Sequence, residues 1–265
     1  MSHYLYLSDD ILNAAYLPDS LVQPGEYHLA ASFPTGMKAE PLMNLHSGRI
    51  TGYEFLSVLP AGMDNETFFR HLSATAITEL FLLQLILSNG LKTGVRFLNL
   101  PIRVLTNTSL CKVLVARCLQ NVVVEIQDPE QLMTLDRQKL FTLRHNLYGF
   151  RQAGAGIYAD DVTPELMRAL PGMLLPLSGI KVSRQLFQNG CLHHGIPDNL
   201  TEWKEKDGMN MVAEGIETKE QCLLAALAGF THGQGWLWPV SEWRYCETVK
   251  PGNASAQRIF MPKMM

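Results

Sequence analysis

Six short apolar runs in this chain end, or nearly end, on side chains that do not belong in a hydrophobic core. Tyr53 leads into Glu54, Leu98 into Asn99, Val124 into Glu125, Ala159 into Asp160 and Asp161, Ile180 into Lys181, and Ala213 into Glu214. Buried strands are apolar, and a charge at a strand's end must be solvated, paired or metal-bound. Between these runs lie stretches with apolar residues at helical steps. Strand and helix patterns that alternate at this spacing argue for a mostly parallel sheet. Seven or eight such units in 265 residues fit an α/β fold of the (β/α)8 TIM-like barrel type better than an open doubly wound sheet. In such a barrel the C-terminal strand ends share one face, so polar residues far apart in sequence meet there.

The elements read in order as follows. Residues 1–33 form an N-terminal extension with one helix around Asp9 to Tyr16. Strand character begins at Met37, turns at Leu45 to Gly48, and returns over Ile50 to Leu56. Asp64 caps a long helix to about Ser88, in which Phe69, Leu72, Ala76, Leu80, Leu83 and Leu87 make one apolar stripe. A strand over Gly94 to Leu100 precedes a helix over Thr106 to Leu119. The β-branched run Val122 to Ile126 precedes a helix over Pro129 to Asn146, and then comes the strand ending on Asp160 and Asp161. Residues 162–176 hold three prolines and read as irregular, with one helical turn at Glu165 to Leu170. Gly179 to Val182 is a strand, Leu200 to Lys206 a helix, Asn210 to Ala213 a strand and Lys219 to Ala228 a helix.

The remaining bulk properties exclude more than they assert. At 47% hydrophobic the chain can bury a full core. A formal net charge of -3 and a pI near 6.2 argue against general attraction to DNA. Leu80 to Leu87 is the most apolar window, contains Gln84, and is too short for membrane insertion. Residues 1–17 lack a basic n-region, and the five cysteines show no CxxC pair, so a reducing, cytoplasmic location is expected.

Five carboxylates in one barrel mouth repel one another, and one lysine does not offset them. Either several are protonated or cations are bound. Oxygen ligands without histidine or thiolate suit Mg²⁺ or Mn²⁺ rather than zinc. Two such ions a few Å apart can activate water and stabilise both oxygens of an in-line attack on phosphorus.

The ordered motifs resemble one family. Glu40-Pro41, Ser47-Gly48, Gly52-Tyr53-Glu54-Phe55-Leu56, Phe97-Leu98-Asn99, Glu125-Ile126-Gln127-Asp128, Asp160-Asp161, Ile180-Lys181, Ala213-Glu214-Gly215-Ile216-Glu217-Thr218 and Gln234-Gly235 follow one another as in the EAL domain. That is the cyclic di-GMP phosphodiesterase family of bacterial signalling, and the similarity runs from about Met37 to Pro239. The resemblance implies an EAL-type barrel domain over residues 34–247 with one strand antiparallel, and a C-terminal tail over 248–265. It implies metal ligation by Glu54, Asn99, Glu125 and Asp160 to one ion, with Asp160, Asp161 and Glu214 serving a second. Glu54, Lys181 and Glu214 would be catalytic, Lys181 orienting the attacking water and Glu214 serving as ligand or general base. Glu40, Leu56, Glu217 and Gln234 would contact substrate. The implied reaction is hydrolysis of cyclic di-GMP to linear pGpG with two Mg²⁺ or Mn²⁺ ions, and the assembly could be a homodimer.

The chain also departs from the family. Asp161 is followed by Val162-Thr163-Pro164-Glu165-Leu166 in place of Phe-Gly-Thr-Gly. Asp128 stands for glutamate, Glu40 for glutamine, and Val58 for an arginine. These changes keep open an alternative, a degenerate EAL protein that binds cyclic di-GMP or a protein partner without hydrolysis.

Overall fold

The strands that carry the acids close into a barrel. A computed structural model describes residues 4–6, 15–16, 34–89, 94–191, 208–248 and 257–263. The chain divides into two compact units, Glu40–Glu54 with Thr93–Pro239, and Met1–Ala39 with Phe55–Lys92 and Val240–Met265. In chain order the strands are β1 (Tyr4–Tyr6), β2 (Ala15–Tyr16), β3 (Gly36–Asn44), β4 (Arg49–Val58), β5 (Val95–Pro101) and β6 (Val122–Gln127). Then follow β7 (Gly156–Val162), β8 (Gly179–Val182), β9 (Asn210–Ala213), β10 (His232–Gly233), β11 (Ser241–Thr248) and β12 (Gln257–Lys263).

In the first unit the hydrogen-bonded order runs from β3 through β10 and returns, because β10 pairs with β3. Every adjacent pair from β4 to β10 is parallel, whereas β3 is antiparallel to β10. A four-residue turn, Leu45 to Gly48, links β3 to β4, and so short a link permits only an antiparallel pair. Asn44 builds that turn: its Oδ1 accepts from the backbone N–H of His46 (3.1 Å) and Ser47 (2.8 Å). The expected (β/α)8 barrel with one antiparallel strand is therefore the fold.

Alternate residues of a strand share a face. Leu42, Phe97, Val123, Tyr158 and Val212 form one buried cluster inside the barrel, with Phe97 and Tyr158 edge-to-face at 5.3 Å. Each sits two positions from a predicted site residue, namely Glu40, Asn99, Glu125, Asp160 and Glu214. An apolar layer thus lies directly beneath the polar one. Close approach of strands is equally specific: a Cβ on Gly52 would stand 2.3 Å from the Val95 carbonyl oxygen on β5. Gly52→Ala should therefore cost about 1–3 kcal/mol of stability, read as a shift in the denaturant midpoint at unchanged m. An unshifted midpoint would show that β4 yields freely.

Helix boundaries differ from the pattern reading where polar caps intervene. The helix expected over Thr106 to Leu119 is shorter, Thr108–Val115, capped by Asn107, and a separate turn of helix, Ile102–Leu105, precedes it. Pro129 opens a 3₁₀ turn, Pro129–Thr134, and the long helix is Arg137–Gln152, whose cap Asp136 accepts from Lys139 N–H at 2.8 Å. The stretch read as irregular contains the helix Pro164–Met173. Thr163 caps it, and Pro164 occupies its first turn, where the missing N–H costs nothing.

In the second unit, β11 and β12 are antiparallel, β12 pairs with β1, and the first residues of β3 pair with β11. The single helix expected from Asp64 to Ser88 is two helices, Asn65–His71 and Ala74–Asn89, bent by 116°. Ser73 starts the second, its Oγ accepting from Ala76 N–H at 3.1 Å. That helix buries Ile77, Phe81 and Leu85 as well as Leu80, Leu83 and Leu87, so its apolar surface exceeds one stripe. No single helix among the described residues is long and apolar enough to cross a membrane. The expected helix Leu200 to Lys206 lies outside the described residues. So does most of Asp9 to Tyr16, of which Ala15–Tyr16 is strand β2.

Candidate active site

Parallel register delivers the polar residues to one place. Asn99 on β5 stands opposite Glu125 on β6, and Lys181 sits centrally in β8. Glu54, Asp160, Asp161, Lys181, Glu214, Glu217, Gln234 and Glu40 all line one pocket of about 290 Å³. Leu56, two residues along β4 from Glu54, is half-buried and does not line it.

Lys181 is the centre of the cluster. Its Nζ lies 2.8 Å from Glu214 Oε1, 2.9 Å from Glu54 Oε2, 3.0 Å from Asp160 Oδ1 and 3.2 Å from Glu125 Oε1, with 1% of the side chain exposed. Glu54 also accepts from Asn99 Nδ2 (2.8 Å) and Gln234 Nε2 (2.7 Å). Gln234 Nε2 reaches Glu40 Oε2 at 3.2 Å too.

The acids respond unequally. Burial pushes the Glu54 carboxyl up, but the Lys181 charge and three donors outweigh it and hold the pKa at about 2. Burial raises Asp160 to about 6 despite Lys181, with Glu54 and Asp161 adding repulsion. Glu125 and Glu214 are raised well above the usual range by burial, with neighbouring carboxylates adding to it. Burial pulls Lys181 down, yet its four acidic neighbours win and hold it firmly protonated. One shared cation cannot satisfy four carboxylates at once.

Several buried acceptors in this cluster make no hydrogen bond. Both oxygens of Glu125, Oδ1 of Asp160, Oδ1 of Asn99 and Oε1 of Gln234 are buried without a hydrogen bond. Lys181 attracts two of these oxygens without the angle a hydrogen bond needs. Glu54, Glu125 and Asp160 each offer an oxygen within 4.8 Å of the other two. Orphaned, closely spaced, oxygen-only acceptors fit a hard divalent cation.

Asp161 reaches the pocket through an irregularity. The β7–β8 register slips between Ala159 and Val162, and Asp161 takes a left-handed conformation with φ 46°. Consecutive strand residues point to opposite faces, but the bulge re-aims the pair so that both acids line the pocket.

Sequence reasoning did not single out Arg184. It follows Ser183, the cap just past β8, and its guanidinium pairs with Glu217 and stacks 4.6 Å from the centre of the Trp236 ring. Its position three residues after Lys181, beyond a strand end, was the available signal.

The fold and mouth together define a TIM-like barrel with an acidic, lysine-centred site at the C-terminal strand ends. The EAL domain model matches residues 35–239, and the chain belongs to that family, one typified by cyclic di-GMP phosphodiesterases. Solved structures agree on the fold. The FimX EAL domain from Pseudomonas aeruginosa bound to c-di-GMP is 16% identical, with TM-score 0.61 over 77% of this chain and 89% of its own. An EAL domain protein from Listeria monocytogenes is 15% identical, with TM-score 0.58 over 77% of this chain and 87% of its own. Klebsiella pneumoniae BlrP1, in a manganese/cy-diGMP complex, is 19% identical, with TM-score 0.60 over 82% of this chain but 57% of its own. No curated protein matches the chain.

Proposed function

We propose that this protein hydrolyses cyclic di-GMP to linear pGpG with divalent metal, as a bacterial cytoplasmic signalling enzyme. The observation that carries the reading is the group of buried oxygens that make no hydrogen bond, on Glu125, Asp160 and Asn99 beside Glu54. No histidine or cysteine is among the described residues lining that pocket, which favours Mg²⁺ or Mn²⁺. Glu54, Asn99, Glu125 and Asp160 would hold one ion, and Asp160, Asp161 and Glu214 a second. When bound, such ions neutralise phosphate charge and make water a better nucleophile at neutral pH.

The chain's own residues do the rest. Lys181, fixed among the carboxylates, orients the attacking water. Glu214, whose proton affinity burial raises, takes a proton from that water as its oxygen bonds to phosphorus. The bond from phosphorus to the 3′ oxygen breaks, and that oxygen leaves protonated from solvent. Glu40, Gln234 and Glu217 hold the nucleotide in the pocket, whose wall excludes water from below.

A second reading, binding without turnover, draws on one observation. The helix Pro164–Met173 begins three residues after Asp161, where the resemblance leads one to expect a glycine loop. Incubation with cyclic di-GMP and either metal separates the two. The first reading expects pGpG; measurable binding without pGpG in both metals selects the second.

Metal binding should also be coupled to protons. Asp160 is raised to about 6, and Glu125 and Glu214 are also raised, chiefly by burial. A raised carboxyl keeps its proton to higher pH, so Mn²⁺ must displace protons, and affinity should weaken as pH falls through about 6. Calorimetric titration in two buffers of different ionisation enthalpy should give different heats. Identical heats would mean that the acids are ionised before metal arrives.

A further inference from the structure

Six carboxylates line the pocket, Glu40, Glu54, Asp160, Asp161, Glu214 and Glu217, and two cations, Lys181 and Arg184, face them. Lys181 is buried and committed to four of the acids. Arg184 differs, because 49% of its side chain is exposed. Its placement is nonetheless specific. The stem lies across Gly215, where a Cβ would come within 2.2 Å of Arg184 Cγ, and Gln188 Nε2 ties that loop by donating to Gly215 O at 2.8 Å. Its head rests over Trp236, an indole left 77% exposed at the pocket.

What holds the head is weak. Its acidic partner, Glu217, is itself 34% exposed, and ion pairs in such surroundings contribute little against solvent. A guanidinium offers five N–H donors in a planar fork that matches two phosphate oxygens. Stacking on Trp236 can hold that plane while one acidic partner replaces another. An anion entering this acidic pocket meets Arg184 as the accessible cation among the described residues lining it.

We propose that Arg184 binds a phosphodiester group of the nucleotide, exchanging Glu217 for phosphate oxygens while it stays stacked on Trp236. The proposal rests on the cyclic dinucleotide reading above. In it, Arg184 is a substrate-binding residue that sets affinity and lies apart from the proposed metal ligands.

The test is calorimetric titration of the full chain with cyclic di-GMP, Ca²⁺ replacing Mg²⁺ to slow turnover. Wild type should bind, Arg184→Met should bind at least tenfold more weakly, and Arg184→Lys should fall between them. The affinity of Arg184→Met should also depend less on salt. Its Mn²⁺ affinity and thermal midpoint should match wild type. If wild type binds and Arg184→Met binds equally well, the proposal is overturned. A loss of Mn²⁺ affinity or of thermal stability matching the loss of nucleotide binding would make Arg184 structural and overturn it too. Failure of wild type to bind would instead overturn the nucleotide reading, and Arg184's role with it.

Discussion

Lys181→Met should destabilise the metal-free protein by about 3–5 kcal/mol at neutral pH. Four carboxylates lie within 3.2 Å of its Nζ, and the side chain is 1% exposed. Methionine fills similar space but leaves those acids facing one another in a buried site. Two conditions should reduce the loss. Lowering the pH helps because Asp160, Glu125 and Glu214 hold protons readily. For a carboxyl raised in the folded state, protonation favours folding, and that advantage fades as pH rises through the folded pKa. Added Mn²⁺ helps because a divalent cation can replace the missing charge. Urea denaturation in EDTA and in Mn²⁺, at acidic and neutral pH, reads both effects. A variant as stable as wild type in EDTA at neutral pH would show that the lysine is not the counter-charge of the metal-free barrel.

Glu54→Gln should lower turnover at least about 10³-fold, roughly 4 kcal/mol of barrier, while the fold persists. Glu54 accepts from Asn99, Gln234 and Lys181 at once. An amide of the same shape turns half of that acceptor into a donor facing donors, and it removes a charged oxygen from the proposed metal site. The fold tolerates the change because the apolar layer beneath is untouched. Measurements of pGpG formation, Mn²⁺ affinity and circular dichroism test this together. Full activity in Glu54→Gln would remove Glu54 from the metal assignment.

Much of the barrel was legible because its signals are local. A β-branched run closing on Glu125, or an apolar one closing on Lys181, marks a strand end without any tertiary knowledge. Helix boundaries were less legible. Ser73, Asn107, Asp136 and Thr163 each start a helix by satisfying free N–H groups, and apolar periodicity is blind to such caps. The bulge at Asp161 was hidden for another reason. A left-handed aspartate within a strand depends on how β7 meets β8, which composition does not encode. The sequence also suggested that one lysine could not offset five acids, but not that Lys181 would touch four of them. That Arg184, Glu217 and Trp236 would meet was out of reach, because they come from three segments well separated in sequence.

The layer of Leu42, Phe97, Val123, Tyr158 and Val212 makes the barrel blind-ended. A ligand that reaches the acids cannot pass on through that layer. On the proposed reading, the linear product must depart through the same doorway before another cyclic molecule arrives. It keeps both bases and both phosphates, so it should rival the substrate for that doorway. Accumulating product would then slow the reaction competitively, and a partner that removes pGpG would speed this protein without touching it.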